Sequence, residues 1–367
     1  MVCIAAFIIL CLMSVIVGFL SIFRRDIGKR WWKTFKKAWG CVGKRVTLQK
    51  CETGFKEDIK NSILSKVIVK KPKLVKPISI GLEVGSVLIV LITVWSLVEG
   101  AKAGLALWSL GTCNVQRPAA CALGESDVCS IDGDSGPQNP IEAISYWFSD
   151  WGEIFGAIPD KFRDWNPDNL GFVGVSAGNK DRERAIDIFD PGCINCLQSY
   201  RAQKETGFFD KYNVTLVPFP IQDGDGNFKF TNSKLIVSYI YATQKQNTPE
   251  DFKGSLSPAM TIIDRAFTGK ATVPDTLHPG EMKEIDYITA FNERYSAEDA
   301  EKELQEWLEE FGYSEEQREQ IKKDSRSEEI ENIIKKNNDI VVNNIHAKGI
   351  PTMIYNGKKH TGVYKED

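Results

Sequence analysis

The fold is decided by residues 184–204, RAIDIFDPGCINCLQSYRAQK. The apolar run at 185–189 predicts a buried strand, and the Asp-Pro-Gly stretch at 190–192 predicts a turn directly after it. Residues 193–204 contain no Pro or Gly and predict a helix. Because a second apolar strand follows at 214–221, the order strand, helix, strand indicates a βαβ unit. An α/β domain is therefore expected.

The helix begins with two cysteines, Cys193 and Cys196. The unpaired backbone N–H groups and the helix dipole at this end favour the thiolate of Cys193, while Cys196 lies one turn further on. Cys193 can therefore attack a substrate disulfide or release an oxidised one, and Cys196 can resolve the mixed disulfide. A zinc site would need a second ligand pair at similar spacing, which neither Cys41 and Cys51 nor the 3 isolated histidines provide. No metal site and no cofactor are expected.

Residues from about 232 to 340 are predicted to be mainly helical, and Ser296 with Asp299 has the spacing of a capping box. The pattern then changes to two strands, 352–355 and 358–364, joined by an Asn-Gly turn. Antiparallel strands are therefore expected to close the domain.

These segments resemble the thioredoxin superfamily, and in particular the DsbA-like extracytoplasmic oxidoreductases. The resemblance covers roughly 184–221 and 340–364, and the helical stretch between them stands where DsbA-like proteins insert a helical domain. It implies an α/β, thioredoxin-like fold at 181–367, with a large helical insertion at about 232–340.

The resemblance also implies roles for three further residues. Asp187 lies six residues before Cys193, where the family often has a buried acid that would take the proton from Cys196. Ile350 and Pro351 are similar to the loop in which the family places a cis-proline, and a cis bond would leave the backbone of Ile350 free to pair with an extended substrate. These groups are expected to meet at an accessible surface.

Two apolar runs, 1–23 and 78–100, predict transmembrane helices before this domain. The first is followed rather than preceded by positive charge, which favours a span over a signal peptide. The loop between them, 24–77, is rich in Lys and Arg and contains a predicted amphipathic helix at the headgroup level, so the positive-inside rule places it in the cytoplasm. The expected localisation is the cell membrane, with two passes and an extracytoplasmic catalytic domain.

Residues 101–180 are predicted to form an extracytoplasmic linker and an aromatic helix. Two of the cysteines Cys113, Cys121 and Cys129 are expected to pair structurally, while the third could exchange electrons with the active pair or with a partner. A helix is predicted to begin at Pro140, with Asn139 as its N-cap. An apolar, largely aromatic stripe follows on one side: Ile141, Ile144, Trp147, Phe148, Trp151 and Phe155. It either packs on the folded domain, which is the favoured interpretation, or rests on the bilayer.

The expected function is that of a membrane-anchored thiol–disulfide oxidoreductase, with oxidase or isomerase activity favoured over reductase activity. Its expected partners are protein substrates with thiols or disulfides, the lipid bilayer and a membrane electron-transfer partner. The net charge of −3 argues against nucleic acid. The dipeptide between the cysteines, Ile194-Asn195, differs from the Gly-Pro of thioredoxin and the Pro-His of many strong oxidants, so the direction of electron flow stays open.

Two other functions stay open. One is a redox-inactive thioredoxin-fold binding module in a membrane assembly, with the cysteines as a structural disulfide. The other is a peroxide-reducing or metal-handling thiol protein.

Overall fold

The computed structural model describes residues 75–118, 128–131, 137, 139–222, 226–275, 278 and 280–366, together with six residues between 32 and 40. The predicted first span at 1–23 and most of the predicted loop at 24–77 lie outside these residues. The chain divides into two compact units, Met1–Ala101 and Lys102–Asp367.

A long helix, α1 (Val75–Leu110), carries the second apolar run. Its segment Val87–Leu110 is long and apolar enough to cross a membrane, and 6% of the span is buried. The predicted span at 78–100 overlaps this segment. Within the described part of the chain no second helix meets the same criterion, so the predicted pair of spans stays a prediction.

The strands in chain order are β1 (Cys129–Ser130), β2 (Val175–Gly178), β3 (Arg184–Phe189), β4 (Asn213–Pro218), β5 (Lys270–Pro274), β6 (Met282–Asp286), β7 (Gly349–Ile350), β8 (Thr352–Tyr355) and β9 (Lys358–Thr361). The helices of the second unit are α2 (Pro140–Ala157), α3 (Ile194–Glu205), α4 (Phe208–Lys211), α5 (Ser233–Gln244), α6 (Pro258–Thr268), α7 (Tyr287–Thr289), α8 (Ala297–Glu310), α9 (Glu315–Ser325) and α10 (Glu328–Asp339).

The second unit has a mixed α/β architecture, which is consistent with the predicted thioredoxin-like fold. Its main sheet has the strand order β2-β4-β3-β8-β9. Strands β3 and β4 are parallel and are connected through α3, which is the predicted βαβ unit, whereas the other neighbours are antiparallel. Five of the six residues of β3 are buried, as expected for the central strand of a sheet with helices on its faces. Strand β2 joins the sheet from residues before 181, where the domain was predicted to begin.

Helices α5 to α10 follow β4 and occupy most of the predicted insertion. The predicted capping box at Ser296 and Asp299 is confirmed, because each side chain bonds the backbone N–H of the other. Trp307 of α8 is buried in the main core. A hairpin of β5 and β6 lies between α6 and α7 and was not predicted.

Helix α2 begins as predicted, with the Asn139 side chain accepting a hydrogen bond from the backbone N–H of Glu142 at 2.8 Å. It packs through Ile154, which is buried in a small cluster with residues from the end of α1. The predicted packing of the aromatic stripe is wrong for four of its apolar residues, because the helix buries its other side. These are exposed by 55 to 82%: Ile141, Ile144, Phe148 and Phe155.

The C-terminal hairpin closes the sheet. Asn356 and Gly357 have positive φ angles of 49° and 68°, the left-handed conformation that a tight two-residue turn between antiparallel strands requires. Because β8 pairs with β3, the loop that precedes β8 lies beside the end of β3.

Candidate thiol–disulfide site

The site is built where β3 ends and α3 begins. Cys193 is the N-cap residue of α3, with extended backbone, and its N–H donates to the carbonyl oxygen of Asp190 at 3.0 Å. Cys196 lies in the first turn of the same helix. The predicted cysteines therefore stand at the end of the helix where unpaired N–H groups favour a thiolate.

The structure pairs the sulfurs differently from the predicted C-x-x-C bond. Cys193 forms a disulfide with Cys129, which is 64 residues earlier in the chain, with the two Cα atoms 6.2 Å apart. Cys196 is outside any disulfide and is buried. Cys113 is also disulfide-bonded.

Cys129 reaches the site on a short strand. In the antiparallel pair of β1 and β7, Cys129 is opposite Ile350 and Ser130 is opposite Gly349. The ladder continues with the N–H of Ile131, which donates to the carbonyl oxygen of Lys348 at 3.1 Å. The chain therefore adds a short strand to the backbone edge formed by β7, next to the Ile350–Pro351 bond.

The proline loop lies against the same sulfur. Cys193 Sγ is 3.9 Å from the carbonyl oxygen of Ile350, and the Ile350–Pro351 peptide bond is cis. Four of the predicted site residues thus lie in one region: Cys193, Cys196, Ile350 and Pro351. Cys129 was not among the predicted site residues, although the odd number of cysteines in the linker was the signal that could have identified it.

The expectation of an accessible surface is not met. Cys193 and Cys196 are 0% and 1% exposed, and residues 128–131 are themselves buried. Cys193 is thus bonded to a segment that is itself buried.

Asp187 lies in the interior, as predicted, on β3. Its Oδ2 accepts a hydrogen bond from Nε2 of Gln203 at 2.9 Å, and its Oδ1 has no hydrogen-bond partner among the described residues. Burial raises the pKa of Asp187 to about 7, against the opposing effect of the Gln203 hydrogen bond. Burial also raises the pKa of the Cys196 thiol well above its usual value, and the nearby charges of Asp190 and Asp187 raise it further. An acid that can exchange a proton near pH 7 is thus close to the buried thiol.

A second buried acid, Asp190, holds the loop and was not predicted to have a role. Its Oδ1 accepts hydrogen bonds from the N–H of Gly192 at 2.8 Å and from the hydroxyl of Ser233. Its Oδ2 accepts from the N–H of Ile221 at 2.7 Å, and its own N–H donates to Cys196 Sγ at 3.5 Å. Burial raises its pKa to about 6, while these hydrogen bonds act in the opposite direction.

Two glycines give the site its close packing. A Cβ at Gly192 would overlap the side chain of Phe230, and the carbonyl oxygen of Gly192 accepts a hydrogen bond from the amide of Asn292 at 2.8 Å. A Cβ at Gly349 would lie 2.8 Å from the Cβ of Val128, which is closer than real Cβ atoms approach. Gly349 therefore makes the room that the added strand occupies.

Asn195, between the two cysteines, also contacts the incoming strand. Its side-chain amide donates toward Cys129 Sγ at 3.9 Å. Within the part of the chain that the structure describes, no cluster of three or more potential metal ligands is present.

Comparison with known proteins gives little beyond this geometry. No protein-family model matches the sequence, and no curated protein matches it. A solved structure that is similar is that of the thiol-disulfide exchange protein alpha-DsbA2 from Wolbachia pipientis, with 15% identity and a TM-score of 0.35 over 58% of this chain and 88% of that chain. At this TM-score the similarity establishes neither a common fold nor a common activity.

Proposed function

We propose that this chain is a thiol–disulfide oxidoreductase with a thioredoxin-like, DsbA-like domain, and that it exchanges disulfides with extended protein substrates. The observation that carries the proposal is the bond between Cys193, at the start of α3, and a cysteine on a strand paired with Ile350. Such a reaction passes through a disulfide between the enzyme cysteine and a substrate cysteine, with the substrate backbone paired to the enzyme. The bond from Cys193 to Cys129, and the pairing of the strand that carries Cys129, have the same two elements.

The residues of the site have complementary roles in this proposal. Cys193 forms the bond with the substrate sulfur, because the N-terminus of α3 stabilises its thiolate. It is also the sulfur that is attacked when this bond is released. Cys196 resolves the mixed disulfide and must first lose a proton that burial holds tightly. Asp187 accepts that proton, since its pKa of about 7 allows the carboxylate to form at neutral pH. Ile350 and Pro351 form the edge that positions the substrate.

The proposed direction is oxidation or isomerisation of disulfides outside the cytoplasm. The bond between Cys129 and Cys193 and the disulfide-bonded state of Cys113 support an oxidising compartment, since stable disulfides are rare in reducing ones. A membrane partner would supply or remove electrons.

Two features support a membrane location. The segment Val87–Leu110 of α1 can cross a bilayer by length and apolarity. Helix α2 exposes apolar side chains, including Ile141 at 82% and Phe148 at 65%, on one side. Such a face suits the bilayer interface, where its burial would remove apolar surface from water. Two passes, with 24–77 in the cytoplasm, are part of this proposal.

The alternative function is a redox-inactive binding module. In that case the bond between Cys129 and Cys193 is a permanent structural disulfide and Cys196 is a buried, inert thiol. The presence of a free thiol in the first turn of the helix that Cys193 begins favours exchange, because a neighbouring thiolate can attack that disulfide.

The test is insulin-disulfide reduction and oxidative refolding of reduced ribonuclease by the full chain in detergent. The Cys193→Ser variant is expected to lose both activities, whereas Cys41→Ser, a matched change in the predicted cytoplasmic loop, is expected to keep them. Full activity of Cys193→Ser, or no activity of the unaltered chain in either assay, would refute the proposal.

A further inference from the structure

We infer that residues 128–131 are a built-in substrate, and that Cys129 is a third exchange cysteine which holds Cys193 in an internal mixed disulfide until Cys196 displaces it. This inference rests on the proposed function and specifies which group occupies the site when no client protein is bound.

The first support is that the segment is bound by its backbone as well as by its sulfur. Cys129 and Ser130 pair with Ile350 and Gly349, and the N–H of Ile131 extends the ladder to Lys348. A disulfide that only stapled two parts of the chain would not need this pairing. Addition of a strand to a free edge is instead a general mode of binding an extended peptide.

The second support is the fit of the side chains. Ile131 and Cys129 lie in the main core cluster with Cys193 and Ile350. Ser130 is 0% exposed and its paired residue is Gly349, which has no side chain. The edge formed by residues 348–350 therefore binds a cysteine that is followed by a small residue and then by an apolar one. A client protein is expected to bind through a segment of the same kind.

The exchange step needs no external oxidant or reductant. The Cys196 thiolate attacks Cys193 Sγ, the bond between Cys129 and Cys193 breaks, and a bond between Cys193 and Cys196 forms. The electron pair leaves on the Cys129 sulfur, which takes up a proton, while the proton lost from Cys196 passes to Asp187. One disulfide and one thiol are present before and after the step.

Asn195 is placed to assist the departure of Cys129. Its amide points toward Cys129 Sγ at 3.9 Å, and a hydrogen bond to a sulfur anion is stronger than one to a neutral disulfide. The dipeptide between the cysteines thus contacts the group that leaves.

A tethered substrate must compete with every client. Because Cys129 is on the same chain, its effective concentration at the site is on the order of millimolar, well above that of a free protein. Clients therefore gain access only when the segment has been displaced, and weakening its binding should speed their reaction.

The first experiment maps the bonds of Cys193 in the full chain in detergent, after equilibration in glutathione buffers, acid quenching, alkylation and mass spectrometry of peptides. In the unaltered chain Cys193 is expected to be distributed between Cys129 and Cys196, whereas in Cys196→Ser it should be bonded to Cys129 or to glutathione. Absence of any bond between Cys129 and Cys193 under all conditions would overturn the inference. So would a bond between them that persists unchanged while insulin is being turned over.

The second experiment weakens the docking of the segment without changing a cysteine. Ile131→Ala shortens a side chain that belongs to the tethered segment alone and is buried in the main core, so insulin turnover is expected to rise by about tenfold as the tethered competitor is weakened. Ile141→Ala on α2, where the side chain is 82% exposed, is the matched control and should leave the rate unchanged. An unchanged or lower rate in Ile131→Ala would contradict the inference, provided that the disulfide of Cys113 shows the variant to be folded.

Comparison with Cys129→Ser separates the two proposals. If Cys129→Ser turns over insulin at the rate of the unaltered chain and no bond from Cys129 to Cys193 is found, the built-in substrate is refuted and the oxidoreductase stands. If no variant turns over insulin, but the bond of Cys193 shifts between Cys129 and Cys196, the internal exchange stands and the activity on clients is refuted.

Discussion

Cys129 and Ile350 are opposite each other in adjacent antiparallel strands, and the sulfur of Cys129 is bonded to Cys193. One residue thus joins Cys193 to the backbone edge next to the proline loop. The carbonyl oxygen of Ile350 lies 3.9 Å from Cys193 Sγ, so the proposed bond exchange and peptide pairing would take place at the same point of the structure.

The resolution step should depend on the ionisation of Asp187. Its pKa of about 7 means that the carboxylate, the proposed acceptor of the Cys196 proton, forms as pH rises through neutrality. The rate at which Cys196 releases Cys129 or a client is therefore expected to rise between pH 6 and pH 8. This rate is measured by quenched-flow alkylation. The other titrating groups nearby are Asp190 and Cys196. Asp187→Asn should lower the rate at pH 7.5 by on the order of tenfold to a hundredfold and remove this midpoint. The same profile in Asp187→Asn as in the control Asp168→Asn would exclude the role.

The free energy of unfolding should also depend on the protonation of Asp187. Because burial raises its pKa above the unfolded value of 3.8, the folded state binds the proton more tightly, and the resulting stabilisation is present at low pH and is lost as pH rises through about 7. Relative to Asp187→Asn, the unaltered chain should therefore lose a few kcal/mol of unfolding free energy between pH 4 and pH 8. Parallel thermal melts of the two chains in detergent would measure the difference. Equal pH dependence of the two would mean that the carboxyl is not buried in solution.

Removal of the second buried acid should cost more stability than removal of its hydroxyl partner. Asp190→Ala leaves the N–H groups of Gly192 and Ile221 without their acceptor, which should cost roughly 3 to 5 kcal/mol. Ser233→Ala removes one donor and leaves the other two, at a cost of about 1 kcal/mol. Denaturant unfolding of the three chains provides the comparison. A cost for Asp190→Ala no larger than that for Ser233→Ala would show that the loop does not depend on this carboxyl.

The proposed topology can be tested with thiol reagents. Cys41 and Cys51 lie in the loop predicted to be cytoplasmic, so a charged, impermeant maleimide should not label them in right-side-out vesicles until the membrane is opened. Labelling is detected by mass spectrometry of the two peptides. Labelling of either residue in sealed vesicles would reverse the proposed orientation.

Four of the five strands of the main sheet could be predicted, because their sequence signals are local. The strand at 185–189 is a short apolar run before a turn, and the Asn356-Gly357 dipeptide defines a tight hairpin. Asn139 and Ser296 both cap helices as predicted, since a cap depends on residues three positions apart. These features need no knowledge of the rest of the chain.

The arrangement of the sulfurs could not be predicted in this way. Cys129 meets Cys193 through a strand of two residues, too short to have an alternating pattern of its own. The pairing depends on contacts between segments far apart in sequence, including the space above Gly349. The sequence around Asp190 predicts only a turn. Its structural role could not be predicted, because its hydrogen bonds reach Ile221 and Ser233, which lie 31 and 43 residues away.

The sequence pattern also could not predict which side of α2 is buried. Periodicity shows that a helix has an apolar stripe but does not show what covers it. Here Ile154 packs inside the unit while Phe148 and Phe155 stay exposed.

A redox titration of the full chain would show whether Cys193 exchanges its bond. The fraction of Cys193 in each disulfide is measured by alkylation and mass spectrometry across a series of glutathione buffers. An exchanging Cys193 should have a midpoint between about −120 and −270 mV, the range of thiol–disulfide oxidoreductases. A bond between Cys129 and Cys193 that resists reduction to below about −300 mV, as structural disulfides do, would rule out exchange.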